Sequence, residues 1–335
     1  MTRLRRVRKA PVAAALATVL LPVLLAGLLI GGADLHHPGK DAPARAGPGI
    51  ASSGRAAVPR HPAPTPTRWP VPPGAYFNSP SLAVQPAPPP ALHDRAAILV
   101  DLTSRRVLYE HNALRPLPTA SLAKLVTILV ALRHASLQTV LTVPYSATQL
   151  GPDETSMGLN AGEQLTVEEL IEGILLESGN DAALVLAQAI MPEAQFIADM
   201  NALVRSWRLP GASFTNPTGL DQPGEVASAY DLAVVAARLV SEQPGLLQIS
   251  AQKEIKIPQT SSHKAYDLGS LIGPVVRDFP GADGLKTGFT DDAGYCLAFT
   301  DRRGGRMLLA VVLNSPNDVD DAQALMTYGF SVDPS

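Results

Sequence analysis

The sequence predicts an α+β domain in which an antiparallel β-sheet is flanked by helices and a helical subdomain is inserted between the two halves of the sheet. In the globular region, a pair of short strands comes first, a series of helical patterns follows, and further strands stand near the C-terminus. That order suits a sheet whose halves come from both ends of the domain. The 335 residues are enough for one such domain and accessory segments.

The first 33 residues predict a segment that enters a membrane. Basic residues from Arg3 to Lys9 precede an uncharged run from Pro11 to Ile30, roughly the 20 residues that span a bilayer as a helix. Positive charge before the run predicts a cytoplasmic N-terminus and an extracytoplasmic remainder, at the cell envelope. We interpret residues 1–33 as an uncleaved anchor, and the small residues 31–33 leave a cleaved signal peptide open as the alternative.

Residues 34–92 are predicted to be a disordered linker, and residues 93–335 the globular domain. Proline-rich stretches such as 61–66 and 88–90 favour extended polyproline conformation. The first 92 residues carry a net charge of +8, which leaves −11 for the remainder of a chain whose total is −3. A globular region this acidic, with few aromatic residues, is not expected to bind nucleic acid.

The globular region begins with a predicted β-hairpin, Ala96–Leu102 and Val107–Glu110, joined by a turn at 103–106. From Ser121 to Leu132 the pattern is helical and apolar nearly all round, which predicts a buried helix. Further helices are predicted at 165–176, 181–190, 192–207, 231–240 (capped by Ser228) and 318–328, and strands at 294–300 and 306–313.

Cysteine and histidine residues give no sign of a metal or a cofactor. Cys296 is the single cysteine and lies in an apolar run, so we expect a buried, inert thiol. No histidine pair has the spacing with a carboxylate that would indicate zinc. We therefore predict no metal site and no cofactor.

Three short motifs stand in order along the chain: Ser121–Lys124, Ser178–Asn180 and Lys286–Gly288. Ser121 and Lys124 are three residues apart, so they share a helix face and the amine can reach the hydroxyl. A serine is a poor nucleophile until a base removes its proton. Lysine can be that base if burial and a second cation, such as Lys286, lower its pKa.

Two other segments have the same spacing but the wrong context. Ser261–Lys264 lies in a polar stretch without helical periodicity, and Ser315–Asn317 follows the lysine motif, at a strand end. We do not expect either segment to take part in catalysis.

The chain resembles the serine D-alanyl-D-alanine carboxypeptidases, the low-molecular-mass penicillin-binding proteins, from roughly Ala96 to Gly329. Besides the three motifs, the resemblance lies in residues 107–112, 118–121, 178–183, 214–220 and 283–290. β-Lactamases and penicillin-binding proteins share a motif triplet of this kind, with Asp where Gly179 stands here. The resemblance implies a β-lactamase/transpeptidase-like fold and an acyl-enzyme mechanism.

The resemblance also implies roles for individual residues. Ser121 would form the acyl-enzyme, Lys124 would take its proton, and Ser178 would relay a proton to the leaving amine. Asn180 would hold a substrate amide, and Lys286 and Thr287 would bind the terminal carboxylate. Gly288 would let the substrate lie close to its strand, and the backbone N–H groups of Ser121 and Phe289 would form the oxyanion hole.

The partners implied are a peptidoglycan stem peptide ending in D-Ala-D-Ala and β-lactam antibiotics. Three alternatives stay open from the sequence. A D,D-endopeptidase would use the same residues on cross-links. A β-lactamase would need a deacylating water, and no Glu-x-x-x-Asn follows Asn180 to position one, so turnover should be slow. An inactive envelope-binding module is disfavoured by the intact motifs.

Overall fold

A computed structural model describes residues 76–78, 88–273, 279 and 281–332 of the chain. Among these residues the strands are β1 (Ala96–Asp101), β2 (Arg106–His111), β3 (Val140–Thr142), β4 (Gln164–Thr166), β5 (Glu254–Ile257), β6 (Tyr266–Gly269), β7 (Ala282–Thr290), β8 (Gly294–Arg303) and β9 (Arg306–Leu313). The helices are α1 (Lys124–His134), α2 (Val167–Leu176), α3 (Asn180–Ile190), α4 (Glu193–Ser206), α5 (Ala229–Glu242), α6 (Gly245–Ser250) and α7 (Asp318–Ser331).

The main sheet joins the two ends of the domain, as the sequence predicts. Its five strands have the order β2-β1-β9-β8-β7, and every neighbouring pair is antiparallel. Strand β1 pairs with β9 from Ala96, opposite Leu313, to Asp101, opposite Leu308. All six residues of β1 are buried, which is what a strand covered on both faces requires. The predicted α+β class is confirmed.

Each face of the sheet has its own hydrophobic core. Ile98 and Val100 of β1 belong to a cluster with residues of α1, α2, α3 and α5, whereas Ala97 and Leu99 belong to a cluster with residues of α7. Because successive side chains of a strand point to opposite faces, the helices between the two halves of the sheet cover one face and the C-terminal helix covers the other. The strand β7 lies at the sheet edge.

The start of the buried helix differs from the prediction in detail. Ala120–Ala123 form a 3-10 turn, and the α-helix begins only at Lys124. Ala120 has a φ of 47°, in the left-handed region that residues with a Cβ seldom adopt. The backbone therefore bends just before Ser121, so the nucleophile candidate lies at the tight entry of the helix and Lys124 in its first α-helical position.

Most predicted elements are present, but several short ones were not predicted. The predicted helix from Leu165 begins at Val167, since 164–166 form β4. The pairs β3–β4 and β5–β6 and the six-residue helix α6 had no counterpart in the prediction. Elements of three to six residues are too short to show a clear hydrophobic period. The predicted cap of α5 is confirmed, because Ser228 and Asp231 form a reciprocal capping box.

The predicted anchor, residues 1–33, lies outside the described residues, as does most of the predicted linker. No helix among the residues that the structure describes is long and apolar enough to span a membrane. Residues 76–78 of the linker are described, and they contact the domain. Phe77 is fully buried against the Tyr230 ring, and Asn78 donates a backbone hydrogen bond of 2.8 Å to Arg105. This docked segment is a difference from the predicted linker, and its cause is an aromatic pair, Tyr76 and Phe77, among the prolines.

Candidate active site

The predicted nucleophile and base are in direct contact. The Lys124 Nζ atom lies 2.6 Å from the Ser121 Oγ atom. The contact follows from local structure, because the 3-10 turn and the first turn of α1 place residues three apart on one side of the helix. A hydroxyl and an amine at this distance can exchange a proton.

Lys124 is fully buried, which changes its acid–base behaviour. Burial, reinforced by the positive charge of Lys286, lowers the pKa of the Lys124 amine well below its ordinary value. The negative charges of Glu154 and Asp181 oppose this shift but do not cancel it. The amine is therefore a better acceptor for the Ser121 proton than an exposed lysine would be.

A loop far along the chain orients the amine. Lys124 Nζ donates a hydrogen bond of 2.9 Å to the backbone carbonyl of Thr218. Asn216 holds that carbonyl in place, because its Oδ1 atom accepts hydrogen bonds from the backbone N–H groups of Thr218, Gly219 and Leu220 and from the Thr218 hydroxyl. Residues 214–220 resemble the family in sequence, but the sequence assigned them no role.

Gly219 brings this loop against the turn that carries the nucleophile. Its φ is 80°, and a Cβ built on it would lie 1.9 Å from the carbonyl oxygen of Ala120. No side chain fits there, so glycine is required both by the backbone conformation and by the close approach. The loop and the 3-10 turn thus support each other directly beside Ser121.

The middle motif lies at the junction of α2 and α3. Ser178 has a φ of 59°, again left-handed, and its hydroxyl accepts a hydrogen bond of 2.9 Å from Lys286 Nζ. Thr155 fixes the junction by donating its hydroxyl to the Ser178 carbonyl and accepting the Asn180 backbone N–H. The Asn180 side-chain nitrogen donates a hydrogen bond of 2.8 Å to Glu154. The Asn180 Oδ1 atom is buried without a hydrogen-bond partner among the described residues.

The third motif lies on the edge strand β7. Lys286 is buried, its Nζ atom also donates to the Thr287 carbonyl at 2.7 Å, and burial lowers its pKa to about 7. Gly288 lies against the nucleophile turn, since a Cβ on it would stand 3.0 Å from the Ser121 nitrogen. Thr287 is half-buried and Phe289 is 55% exposed.

The structure therefore brings Ser121, Lys124, Ser178 and Lys286 into one chain of hydrogen bonds or close charges, with Gly288 beside them. The oxyanion-hole role of the Ser121 and Phe289 amides and the carboxylate-binding role of Thr287 stay predictions. A Cβ at position 288 would be crowded against the nucleophile turn, at 3.0 Å from the Ser121 nitrogen, which favours glycine at this position of β7.

The two segments with similar spacing lie elsewhere. In the first, the Lys264 Nζ atom donates to the Gly158 carbonyl rather than to Ser261. In the second, the Ser315 hydroxyl donates a hydrogen bond of 2.6 Å to the Asp321 carboxylate in the first turn of α7, and not one to the substrate site. Both segments therefore have a structural role, the first in holding a loop and the second at the start of α7.

Two acidic residues near the site were not singled out from the sequence. Asp181 is buried and accepts the backbone N–H groups of Met157, Gly158 and Leu159, so it anchors the loop that precedes β4. Glu154, on the same loop, contacts Asn180. Among the described residues, no group of three His, Cys, Asp or Glu side chains is arranged to hold a metal ion.

Comparisons with known proteins agree with this geometry. A family model described as D-alanyl-D-alanine carboxypeptidase matches residues 83–317. The D-alanyl-D-alanine carboxypeptidase DacF of Bacillus subtilis is 31% identical over 225 residues, which are 66% of this chain and 57% of that protein. The chain thus spans less than two thirds of that relative's length.

Solved structures share the fold. The D-alanyl-D-alanine carboxypeptidase of Mycobacterium tuberculosis has a TM-score of 0.69 and 29% identity, over 76% of this chain and 96% of that one. Penicillin-binding protein D2 of Listeria monocytogenes, solved in an ampicillin-bound form, has a TM-score of 0.63 and 28% identity, over 73% of this chain and 100% of that one.

Proposed function

Because the chain belongs to the D-alanyl-D-alanine carboxypeptidase family, we propose that it removes the terminal D-alanine from peptidoglycan stem peptides through an acyl-enzyme on Ser121. The observation that carries this proposal is the contact of 2.6 Å between the Ser121 hydroxyl and the fully buried Lys124 amine. A serine beside a buried amine whose pKa is lowered supplies the two groups that covalent acyl transfer needs, a nucleophile and a base.

Acylation begins when Ser121 Oγ attacks the carbonyl carbon of the penultimate D-alanine and Lys124 Nζ takes the hydroxyl proton. Backbone N–H groups of Ser121 and Phe289 stabilise the oxyanion that forms. The C–N bond then breaks, and Ser178 passes its proton to the departing D-alanine amine and regains one from Lys124. The proton taken from Ser121 thus leaves with D-alanine. Lys286 contacts Ser178, so its charge favours this relay. Water then attacks the ester carbonyl, Lys124 takes the proton of the water and returns it to the departing Ser121 oxygen, and the shortened peptide leaves.

Substrate binding uses the edge strand β7. Lys286, in its charged form, and the Thr287 hydroxyl bind the C-terminal carboxylate, and Asn180 holds an upstream amide. Lys286 has a pKa of about 7 in the free enzyme because it is buried, and a bound carboxylate favours its ammonium form. A β-lactam presents a similar carbonyl and carboxylate, so it acylates Ser121 as well.

The direct test is labelling with a fluorescent penicillin, combined with release of D-alanine from a peptide ending in D-Ala-D-Ala. The wild type is expected to label and to release D-alanine, and Ser121→Ala to do neither. Ser261→Ala, which alters the other Ser-x-x-Lys segment, should behave as wild type. Labelling that persists in Ser121→Ala would refute the assignment of the nucleophile.

We also propose that the enzyme works outside the cytoplasm and is held at the membrane by residues 1–33. The support is the sequence pattern alone, basic residues followed by an uncharged run from Pro11 to Ile30. Full-length protein should stay in the membrane fraction at high salt, and a variant without residues 1–33 should not. Recovery of both forms in the soluble fraction would contradict the anchor.

A further inference from the structure

A carboxylate stands beside the residue that is expected to hold the substrate amide. The Asn180 side-chain nitrogen donates a hydrogen bond of 2.8 Å to Glu154 Oε2, and the Gly151 backbone N–H donates one of 2.9 Å to Glu154 Oε1. These bonds fix the Glu154 side chain at the end of the loop that Asp181 anchors. A carboxylate has about four acceptor positions, so each oxygen keeps capacity for another donor.

The surroundings leave the Glu154 charge available to a ligand. Glu154 is half-buried, whereas Asp181 is buried and occupied by backbone N–H groups. The nearby lysines, Lys124 and Lys286, are both buried and engaged by other acceptors. A positive group arriving from solvent therefore meets Glu154 rather than Asp181, because the Asp181 carboxylate is buried.

We propose that Glu154 selects substrates with a positive charge next to the amide that Asn180 holds. For a stem peptide, this means a free amine on the side chain of the residue before D-Ala-D-Ala. An amide bound by Asn180 lies close to Glu154, because the Asn180 side-chain nitrogen is 2.8 Å from Glu154 Oε2, and a diamino acid side chain extends outward from the residue that carries that amide. This inference rests on the proposed function and adds a substrate class to it.

A single half-exposed charge gives a modest preference. Ion pairs of this kind change a rate or affinity roughly two- to fivefold, and salt weakens them. A negative group at the same place should be disfavoured by a similar factor. Comparing a positive with a negative substituent therefore gives an expected difference on the order of tenfold, which acylation kinetics can resolve.

Three penicillins provide matched probes. Ampicillin, benzylpenicillin and carbenicillin share their nucleus and phenyl ring, and they carry an ammonium group, hydrogen and a carboxylate, respectively, on the carbon next to the side-chain amide. We expect second-order acylation rates of the wild type to fall in that order at low ionic strength. Glu154→Gln keeps the shape of the side chain and one acceptor oxygen but has no charge. In this variant, the ratio of the ampicillin rate to the carbenicillin rate should fall toward the wild-type ratio at high salt.

The ratio of the ampicillin rate to the carbenicillin rate reports the effect of the substituent's charge and not a general change in reactivity. Glu154 also affects the pKa of Lys124, so Glu154→Gln changes all three rates together, and that common effect cancels. Asp153→Asn is the matched control, because it makes the same charge change at an exposed neighbour, whereas the Asn180 amide donates to Glu154. It should keep most of the wild-type ratio.

A peptide pair extends the test to the proposed substrate. A peptide with lysine before D-Ala-D-Ala should have a several-fold higher kcat/KM than the same peptide with an acetylated lysine side chain, and Glu154→Gln should remove the difference. If the wild type and Glu154→Gln had the same ampicillin-to-carbenicillin ratio and the same preference between the two peptides, the role of Glu154 would be overturned. Acylation of the wild type by penicillin would still uphold the proposed function. If no penicillin acylated the wild type, the proposed function would fall, and this inference with it.

Discussion

Lys124 donates its side-chain hydrogen bond of 2.9 Å to the carbonyl oxygen of Thr218, 94 residues later in the chain. A neutral amine has two N–H donors and one lone pair. With one donor directed to Thr218, the lone pair can turn toward the Ser121 hydroxyl, 2.6 Å away. The carbonyl therefore orients the base, and the loop that holds the carbonyl belongs to the machinery of the site.

Replacing Lys124 with arginine should abolish acylation. Arginine has a similar length but stays protonated at every usable pH, so it cannot accept the Ser121 proton. The loss of a general base predicts a decrease of roughly 100- to 10,000-fold in the acylation rate by benzylpenicillin. Lys253→Arg, at an exposed lysine, should keep the wild-type rate. A Lys124→Arg enzyme that retains a tenth of the rate would contradict the role of Lys124.

Asn216→Ala should impair catalysis through Lys124 although Asn216 does not touch the nucleophile. The variant removes the acceptor of four hydrogen bonds that hold the 216–220 turn, so the Thr218 carbonyl is no longer fixed. We expect kcat to fall at least tenfold and the pH profile of acylation to shift, with a smaller change in KM.

Thr218→Ala is the matched variant for Asn216→Ala. It removes one of the bonds to Asn216 but leaves the backbone carbonyl that binds Lys124. Its kcat should lie between those of the wild type and Asn216→Ala. An unchanged pH profile in Asn216→Ala, with only a lower melting temperature, would indicate a purely structural role.

Glu225 should make the fold less stable as the pH rises. Burial raises its pKa from 4.5 to about 7. Below pH 4.5 the side chain is protonated in both folded and unfolded chains; between 4.5 and 7 the unfolded chain loses the proton first, so folding stability falls. Glu225→Gln should therefore be more stable than the wild type at pH 8, by up to about 3 kcal/mol, and similar at pH 4.

Denaturant unfolding at the two pH values measures this difference. Glu254→Gln, at an exposed glutamate, serves as the control and should change stability equally little at both. A gain in Glu225→Gln that is the same at pH 4 and pH 8 would show that the effect does not come from titration of Glu225.

Phe77→Ala should destabilise the domain although Phe77 lies in the predicted linker. The side chain is fully buried and packs edge-on against Tyr230, with ring centroids 6.0 Å apart. Removing a buried phenyl ring lowers the free energy of unfolding by roughly 3–5 kcal/mol. Tyr145→Ala, at a tyrosine that is 71% exposed, should change it by less than about 0.5 kcal/mol. If Phe77→Ala and Tyr145→Ala changed the free energy of unfolding equally in chemical denaturation, residues 76–78 would not be docked on the domain in solution.

The sequence alone determined the elements that depend on local patterns. The β-hairpin, the apolar helix after Ser121 and the capping box of α5 each show a period or a cap within a few residues. The pair Ser121 and Lys124 was also predictable, because residues three apart on a helix meet whatever the rest of the chain does. The resemblance then extended this to Ser178 and Lys286.

Only the tertiary structure decided which distant groups complete the site. The Thr218 carbonyl is a backbone group, and no residue type in the sequence identifies the carbonyl that faces a lysine. The contact of Lys286 with Ser178 joins residues 108 apart, and that of Glu154 with Asn180 joins a loop to a helix start. The docking of Phe77 likewise depends on a pocket built by other segments. Such contacts follow from packing of whole elements, which local periodicity does not encode.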